Sequence, residues 1–197
     1  DKKKLKIIKK AISNKIVWVV GSSFLEDEKI AIHTQKLLIK RNVRKLLVLV
    51  PRFPERAHEI LNLLKDFEVK VYSRGETPDV KTDIFIVDSI GELGLWYKAS
   101  EVALIGGTFS NVEGKNPWEA LHLDCVITFG PRHLKFKDDF KLLKKLKLAH
   151  QINSAQELFK ILSRKDQIPI SNGIKELKKK LKKDLNSLTE ELLSLIK

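Results

Sequence analysis

The sequence predicts an α/β domain built on a doubly wound parallel sheet, and three observations carry that expectation. Short β-rich runs recur, Ile16–Val20, Leu46–Val50, Val69–Tyr72, Ile84–Val87, Val102–Ile105 and Cys125–Phe129, most of them too apolar for strands with one face in water. Most are closed by Gly, Pro, Ser or Asp and followed by a stretch with helical spacing, so strand and helix alternate, as crossover connections require. With 197 residues, 43% of them apolar, and no apolar run of membrane-spanning length, the chain can bury one sizeable core.

Taken in order, residues 1–15 form a lysine-rich stretch with Leu5, Ile7, Ile8, Ala11 and Ile12 interspersed, expected as a solvated basic linker or arm rather than a short amphipathic helix. Residues 16–170 are expected to be the ligand-binding domain. Its first run ends at Gly21-Ser22-Ser23, and Ser23-x-x-Glu26 reads as a capping box opening a helix through about Lys40. The second run leads into Pro51-Arg52-Phe53-Pro54-Glu55-Arg56, then a helix face of Ile60, Leu61, Leu63 and Leu64. After Ile84–Val87, Ser89-x-x-Glu92 reads as a second capping box, with Leu93, Trp96 and Tyr97 on one face. A helix is expected over Phe136–Leu148, and another from Ser154-x-x-Glu157 to Leu162. Residues 171–197 place Leu177, Leu181, Leu185, Leu188, Leu192 and Ile196 at helical spacing among lysines, an amphipathic helix. The chain opens on Asp1 and contains no Met, which is expected of a segment of a longer protein.

In a sheet of this kind the ligand sits outside the carboxyl ends of the strands. The stretch 102–119 is the most informative of those ends: a buried run stops at Gly106-Gly107, and a polar loop leads to Asn116-Pro117-Trp118-Glu119. Asn suits an N-cap, Pro the first helical position, and a carboxylate three residues on can reach back to the cap N–H. Free helical N–H groups there favour an anion, typically a phosphate. The residues expected to form a phosphate loop are Ser22, Ser23, Gly106, Gly107 and Lys115. A net charge of +13 points to anionic partners, among them a nucleotide, a phosphorylated lipid, an acidic membrane surface or nucleic acid.

Other chemistries are disfavoured. The single Cys125 excludes an internal disulfide and reads as a buried small hydrophobe. The five histidines show no metal-ligand spacing, so no metal site is expected. Neither G-x-G-x-x-G nor a Walker-type loop is present, which disfavours dinucleotide cofactors and P-loop chemistry. A basic nucleic-acid module would show a known motif or a basic patch with exposed aromatics, and neither is legible.

Four blocks, in order, resemble the C-terminal half of the 3-deoxy-D-manno-octulosonic acid (Kdo) transferase family over roughly residues 16–162. They are Pro51–Arg56, Asp88–Tyr97, Gly106-Gly107 with Gly114–Ala120, and Gly130-Pro131 with Phe136-Lys137-Asp138. The chain departs from the family pattern at Phe24, Lys115, Ala120 and Arg132. The resemblance implies the Rossmann-like C-terminal half of a GT-B glycosyltransferase. Such proteins work at the cytoplasmic face of the bacterial inner membrane in lipopolysaccharide biosynthesis and move Kdo from CMP-Kdo to a lipid A precursor, without a cofactor. It implies that Pro51, Arg52, Ile90, Gly91, Glu92, Asn116, Pro117, Trp118 and Glu119 contact CMP. Arg52 would bond phosphate or cytosine, and Glu119 the ribose hydroxyls. No catalytic residue is expected in this chain, because the family's base is a Glu of the N-terminal domain. Alone, the chain is expected to bind CMP weakly and to turn nothing over. The implied partners are the donor, the lipid acceptor, that N-terminal domain and an anionic membrane surface, with no nucleic acid. The alternatives are a GT-B transferase or epimerase using a uridine nucleotide sugar, and a basic nucleic-acid-binding module.

Overall fold

The structure, a computed structural model, describes residues 2–12, 15–163 and 179. Among these, seven strands form one parallel sheet in the order β3-β4-β2-β1-β5-β6-β7. The strands are β1 (Ile16–Ser23), β2 (Lys45–Pro51), β3 (Val69–Val71), β4 (Ile84–Ile86), β5 (Val102–Ile105), β6 (Val126–Phe129) and β7 (Ala149–Gln151). The helices are α1 (Lys2–Ala11), α2 (Leu25–Lys40), α3 (Ala57–Asn62), α4 (Leu93–Ala99), α5 (Trp118–His122), α6 (Lys137–Lys145) and α7 (Ala155–Leu162). The doubly wound parallel sheet expected from the apolar runs is thus present.

Both faces of the sheet are covered, which is why its strands contain almost no alternation. On one face the Trp18 Nε1–H donates to Gln35 Oε1 of α2 at 3.1 Å; on the other, a Cβ placed on Gly21 would lie 2.0 Å from the Tyr97 hydroxyl of α4. Residues 18 and 21 differ by an odd number, so they point to opposite faces. Leu46, Leu47, Val48 and Leu49 in β2 are fully buried, as are Val19 and Val20 in β1. Gln35 completes the inner network by donating to the carbonyls of Lys45 and Asp83 at 2.8 and 3.1 Å.

Four local expectations change. Residues 2–11 of the expected basic arm form a helix, because Ile8 and Ile12, a turn apart, both reach the core. Burying each contributes about 1.5–3 kcal/mol, which holds a helix too short to persist alone. The helix expected to run to Leu148 ends at Lys145, and Ala149–Gln151 joins the sheet as β7 through Ile127↔Ala149. The first capping box is shifted by one residue: Phe24 is the N-cap, and its N–H donates to Asp27 Oδ2 at 3.0 Å. The second does not form, since α4 begins at Leu93 with Glu92 itself at the N-cap. The cap at Ser154 is present, with Glu157 N–H donating to Ser154 Oγ at 3.3 Å. The amphipathic helix expected over 171–197 lies outside the described residues apart from Lys179.

Trp18→Phe removes part of the buried indole and leaves the buried Gln35 carbonyl oxygen without its donor. It is expected to destabilise the protein by about 1–3 kcal/mol, read as a lower urea midpoint with unchanged slope.

Candidate functional site: a cationic rim at the strand ends

After β1 the chain adds strands on one side, and with β5 it returns to the other side of β1. The loops following β1 and β5 therefore diverge around a crevice, the switch point of a doubly wound sheet. They approach each other closely. Gly106 N–H donates to Gly21 O at 3.0 Å, and a Cβ on Gly106 would lie 2.2 Å from Ser22 O, so only glycine fits. The β2 loop joins through Arg52 N–H, which donates to Ser23 O at 3.0 Å.

A buried carboxylate ties these loops together. Asp27, in the first turn of α2, accepts N–H bonds from Gly107 at 2.7 Å, from Phe109 at 3.0 Å and from Phe24 at 3.0 Å. Burial pushes its carboxyl up to about 6, against the opposing pull of those three bonds. Next to it, Glu28 is also fully buried and holds Arg56 in a fork, with contacts of 3.1 and 3.0 Å. Thr108 links the next loop: its Oγ1 accepts from Gly130 N–H at 2.8 Å and its carbonyl from Arg132 N–H at 2.9 Å. The rim from β2 to β6 is one hydrogen-bonded cradle.

Onto this cradle converge cations. The Lys115 ammonium lies 5.5 Å from the centre of the Phe24 ring, and the Arg52 guanidinium 5.9 Å from that of Phe53. Burial, and then the positive charges of Arg52 and Lys135, hold the Lys115 ammonium below its ordinary pKa. Arg52, Lys115 and Lys135 come from the loops after β2, β5 and β6, and none of them has an ion-pair partner among the described residues. Lys115 is thus repelled by both neighbours, and the rim carries concentrated positive charge of the kind that suits an anion.

The expected site residues distribute as follows. Ser22, Arg52, Gly106, Gly107 and Lys115 meet at the switch point, with Pro51 buried beneath Arg52. Ser23 is a correction: it is buried and its hydroxyl donates to Glu28 Oε1 at 2.9 Å, so it braces the loop and offers no hydroxyl to a phosphate. Asn116 Oδ1 accepts the Trp118 N–H at 3.0 Å, as a cap would, but α5 starts one residue later than expected, spans five residues, and takes no cap bond from Glu119. Trp118 Nε1–H donates to Asp139 Oδ1 at 2.7 Å, and Pro117 is buried. Glu119 is exposed, and its charge reaches the Tyr97 phenol behind Gly21, which burial holds far above its ordinary pKa. Ile90 and Gly91 stand out from the rim beyond β4, while the Glu92 carboxylate is engaged by Lys4 and Tyr72. Asp27, Glu28 and Thr108 were not singled out by the sequence; two acidic residues at a helix start read equally well as dipole partners.

A groove of about 540 Å³ opens at the opposite, amino-terminal end of the sheet among Lys15, Arg44, Lys45, Lys81, Glu68 and Asp83. Its lining mixes cations with the carboxylates of Glu68 and Asp83. Cys125 is buried, its thiol pushed up to about 12 by burial. Among the described residues no cluster of His, Cys, Asp or Glu is placed to hold a metal ion, and no helix is long and apolar enough to cross a membrane.

Fold and rim together define a Rossmann-like α/β ligand-binding domain with an anion-accepting switch point. No protein-family model matches the chain. It is 34% identical over 169 residues to the 3-deoxy-D-manno-octulosonic acid transferase of Rickettsia bellii, across 85% of this chain and 40% of that protein. To the enzyme of the same name from Haemophilus influenzae it is 30% identical over 143 residues, across 72% of this chain and 34% of that protein. The crystal structure of the C-terminal CMP-Kdo binding domain of WaaA from Acinetobacter baumannii matches with a TM-score of 0.81 at 22% identity, covering 91% of this chain and 96% of that one. The chain is a homologue of the 3-deoxy-D-manno-octulosonic acid transferases, matching their C-terminal domain. It spans 40% or less of the length of these two curated relatives.

The Asp27 carboxyl, near 6 in the fold, lies above its value of about 3.9 in an unfolded chain, so the folded state holds the proton more tightly. The resulting stabilisation is full below about pH 4 and is lost as pH rises through about 6. Asp27→Asn removes this dependence. Relative to that variant, the wild type is expected to gain about 2 kcal/mol between about pH 7 and about pH 4, measured by urea unfolding at matched pH; a flat difference contradicts it.

Proposed function

We propose that this chain is the donor-binding part of a glycosyltransferase that transfers Kdo from CMP-Kdo to a lipid A precursor in lipopolysaccharide biosynthesis. The observation that carries this reading is the convergence of Arg52, Lys115 and Lys135 on the β1–β5 switch point, beside the close-packed glycine turn. The homology adds the substrate class, since the matching Acinetobacter baumannii domain is described as binding CMP-Kdo.

In this reading the monophosphate of the donor lies against Lys115 and Arg52, with charge-assisted hydrogen bonds from the guanidinium. Ser22 and the Gly106-Gly107 turn let the phosphate approach the backbone. Pro51, Asn116, Pro117 and Trp118 border the nucleoside, and the exposed Glu119 carboxylate accepts hydrogen bonds from the ribose hydroxyls. Ile90 and Gly91 close the third side, with Glu92 at their foot. The acceptor hydroxyl attacks the anomeric carbon as the bond to CMP breaks, and the leaving phosphate takes the electron pair. The rim's cations stabilise that developing charge. The base that removes the acceptor's proton belongs to a part of the protein outside this chain, so the chain alone turns nothing over. Its activity in the whole protein is at the cytoplasmic face of the inner membrane, where its positive charge favours an anionic lipid surface.

Calorimetric titration is expected to show CMP binding more tightly than UMP or UDP. Arg52→Ala and Lys115→Ala are each expected to raise the Kd for CMP by about 10-fold or more without lowering the melting temperature. Equal affinity for UMP or UDP favours a uridine nucleotide sugar instead. Unchanged Kd in both variants removes the rim as the phosphate site.

A further inference from the structure

The loop after β4 is anchored at both ends and open in the middle. At its start, Asp88 accepts the Ser73 N–H on Oδ1 at 2.9 Å and the Ser73 hydroxyl on Oδ2. At its end, the Glu92 carboxylate accepts from the Lys4 ammonium of α1 and, at 3.2 Å, from the Tyr72 hydroxyl. Lys4 also donates to the Tyr72 oxygen at 2.6 Å and lies 5.0 Å from the centre of its ring. The Glu92 side chain is only 17% exposed. Between the anchors, Ile90 is 88% exposed, and Gly91 has φ +88° with nothing within 4 Å of a Cβ placed on it.

We propose that Lys4 and Tyr72 are positioning residues for the ligand site: they hold Glu92 Oε1 at the foot of the loop and thereby set where Ile90 and Gly91 meet the bound nucleotide. This rests on the reading of the rim as a CMP site. Both donors hold the same carboxylate oxygen, Oε1, and Glu92 forms the near pillar of an arch whose far pillar is Asp88. The arch is preorganised before ligand arrives, which removes part of the ordering cost of binding. The helix α1, seated by Ile8 and Ile12, thereby becomes part of the site although none of its residues touches ligand.

A double-mutant cycle on the CMP affinity tests this. Lys4→Ala and Glu92→Gln are each expected to raise Kd about threefold to fivefold. Together they raise it no further than Lys4→Ala alone, because both act through one contact. Lys4→Arg is expected to restore the wild-type Kd. Additive losses overturn the proposal by making Glu92 a direct ligand contact. So does a lowered melting temperature with unchanged Kd in Lys4→Ala, the result of a merely structural bridge. If the wild type binds no CMP, the CMP reading of the rim fails, and the arch is judged by the amide resonances of Ile90 and Gly91. Their displacement in Lys4→Ala and return in Lys4→Arg support it, and unmoved resonances overturn it.

Discussion

A single buried carboxylate sets the geometry on which the rim depends. Asp27 takes N–H bonds from the β1 loop and from two residues of the β5 loop, so the connections that leave the sheet in opposite directions are joined at their roots. Burying a charge is costly, and the elevated pKa of Asp27 records that cost. What the cost secures is backbone placed without freedom at the cationic switch point. Glu28 repeats the arrangement one residue later with Arg56 and Ser23. The two acids are neighbours in sequence yet brace different loops.

This division of labour explains how a very basic chain concentrates its charge. Arg56, in the same Pro-Arg-Phe-Pro-Glu-Arg block as Arg52, is spent on Glu28 and Glu59 inside the structure. Arg52, four residues earlier, is exposed and keeps its guanidinium for a partner. Lys115 is half-buried between Phe24 and the neighbouring cations, so its charge is poorly screened. Net charge therefore says little about the rim; what matters is that Arg52, Lys115 and Lys135 are brought together there from three separate loops.

Much of the fold was legible because a parallel sheet covered on both faces writes itself as uninterrupted apolar runs, as Leu46–Val50 does. β7 escaped because Ala149-His150-Gln151 is short, polar at two of its three positions and recruited only by pairing with β6. The loops of the site were legible from strand ends, and Arg52, Gly106 and Lys115 do meet. The roles within them were less so. Ser23 and Glu92 look like ligand residues in sequence, but the Ser23 hydroxyl is taken by the buried Glu28 carboxylate, and Glu92 Oε1 by Lys4 and Tyr72, which lie far from it along the chain. Asp27 was not legible because two of its three donors, Gly107 and Phe109, reach it only when β5 is laid beside β1.

The placement of β3 has a dynamic consequence. It forms the margin of the sheet, three residues long, and pairs with β4 alone. Tyr72 and Ser73, which follow it directly, supply one partner to each foot of the β4 loop. Fraying begins at such margins, where few backbone bonds have to break together. Each time this border strand lifts away, both feet lose a tether at once, so one side of the rim breathes at the rate of the sheet's weakest seam.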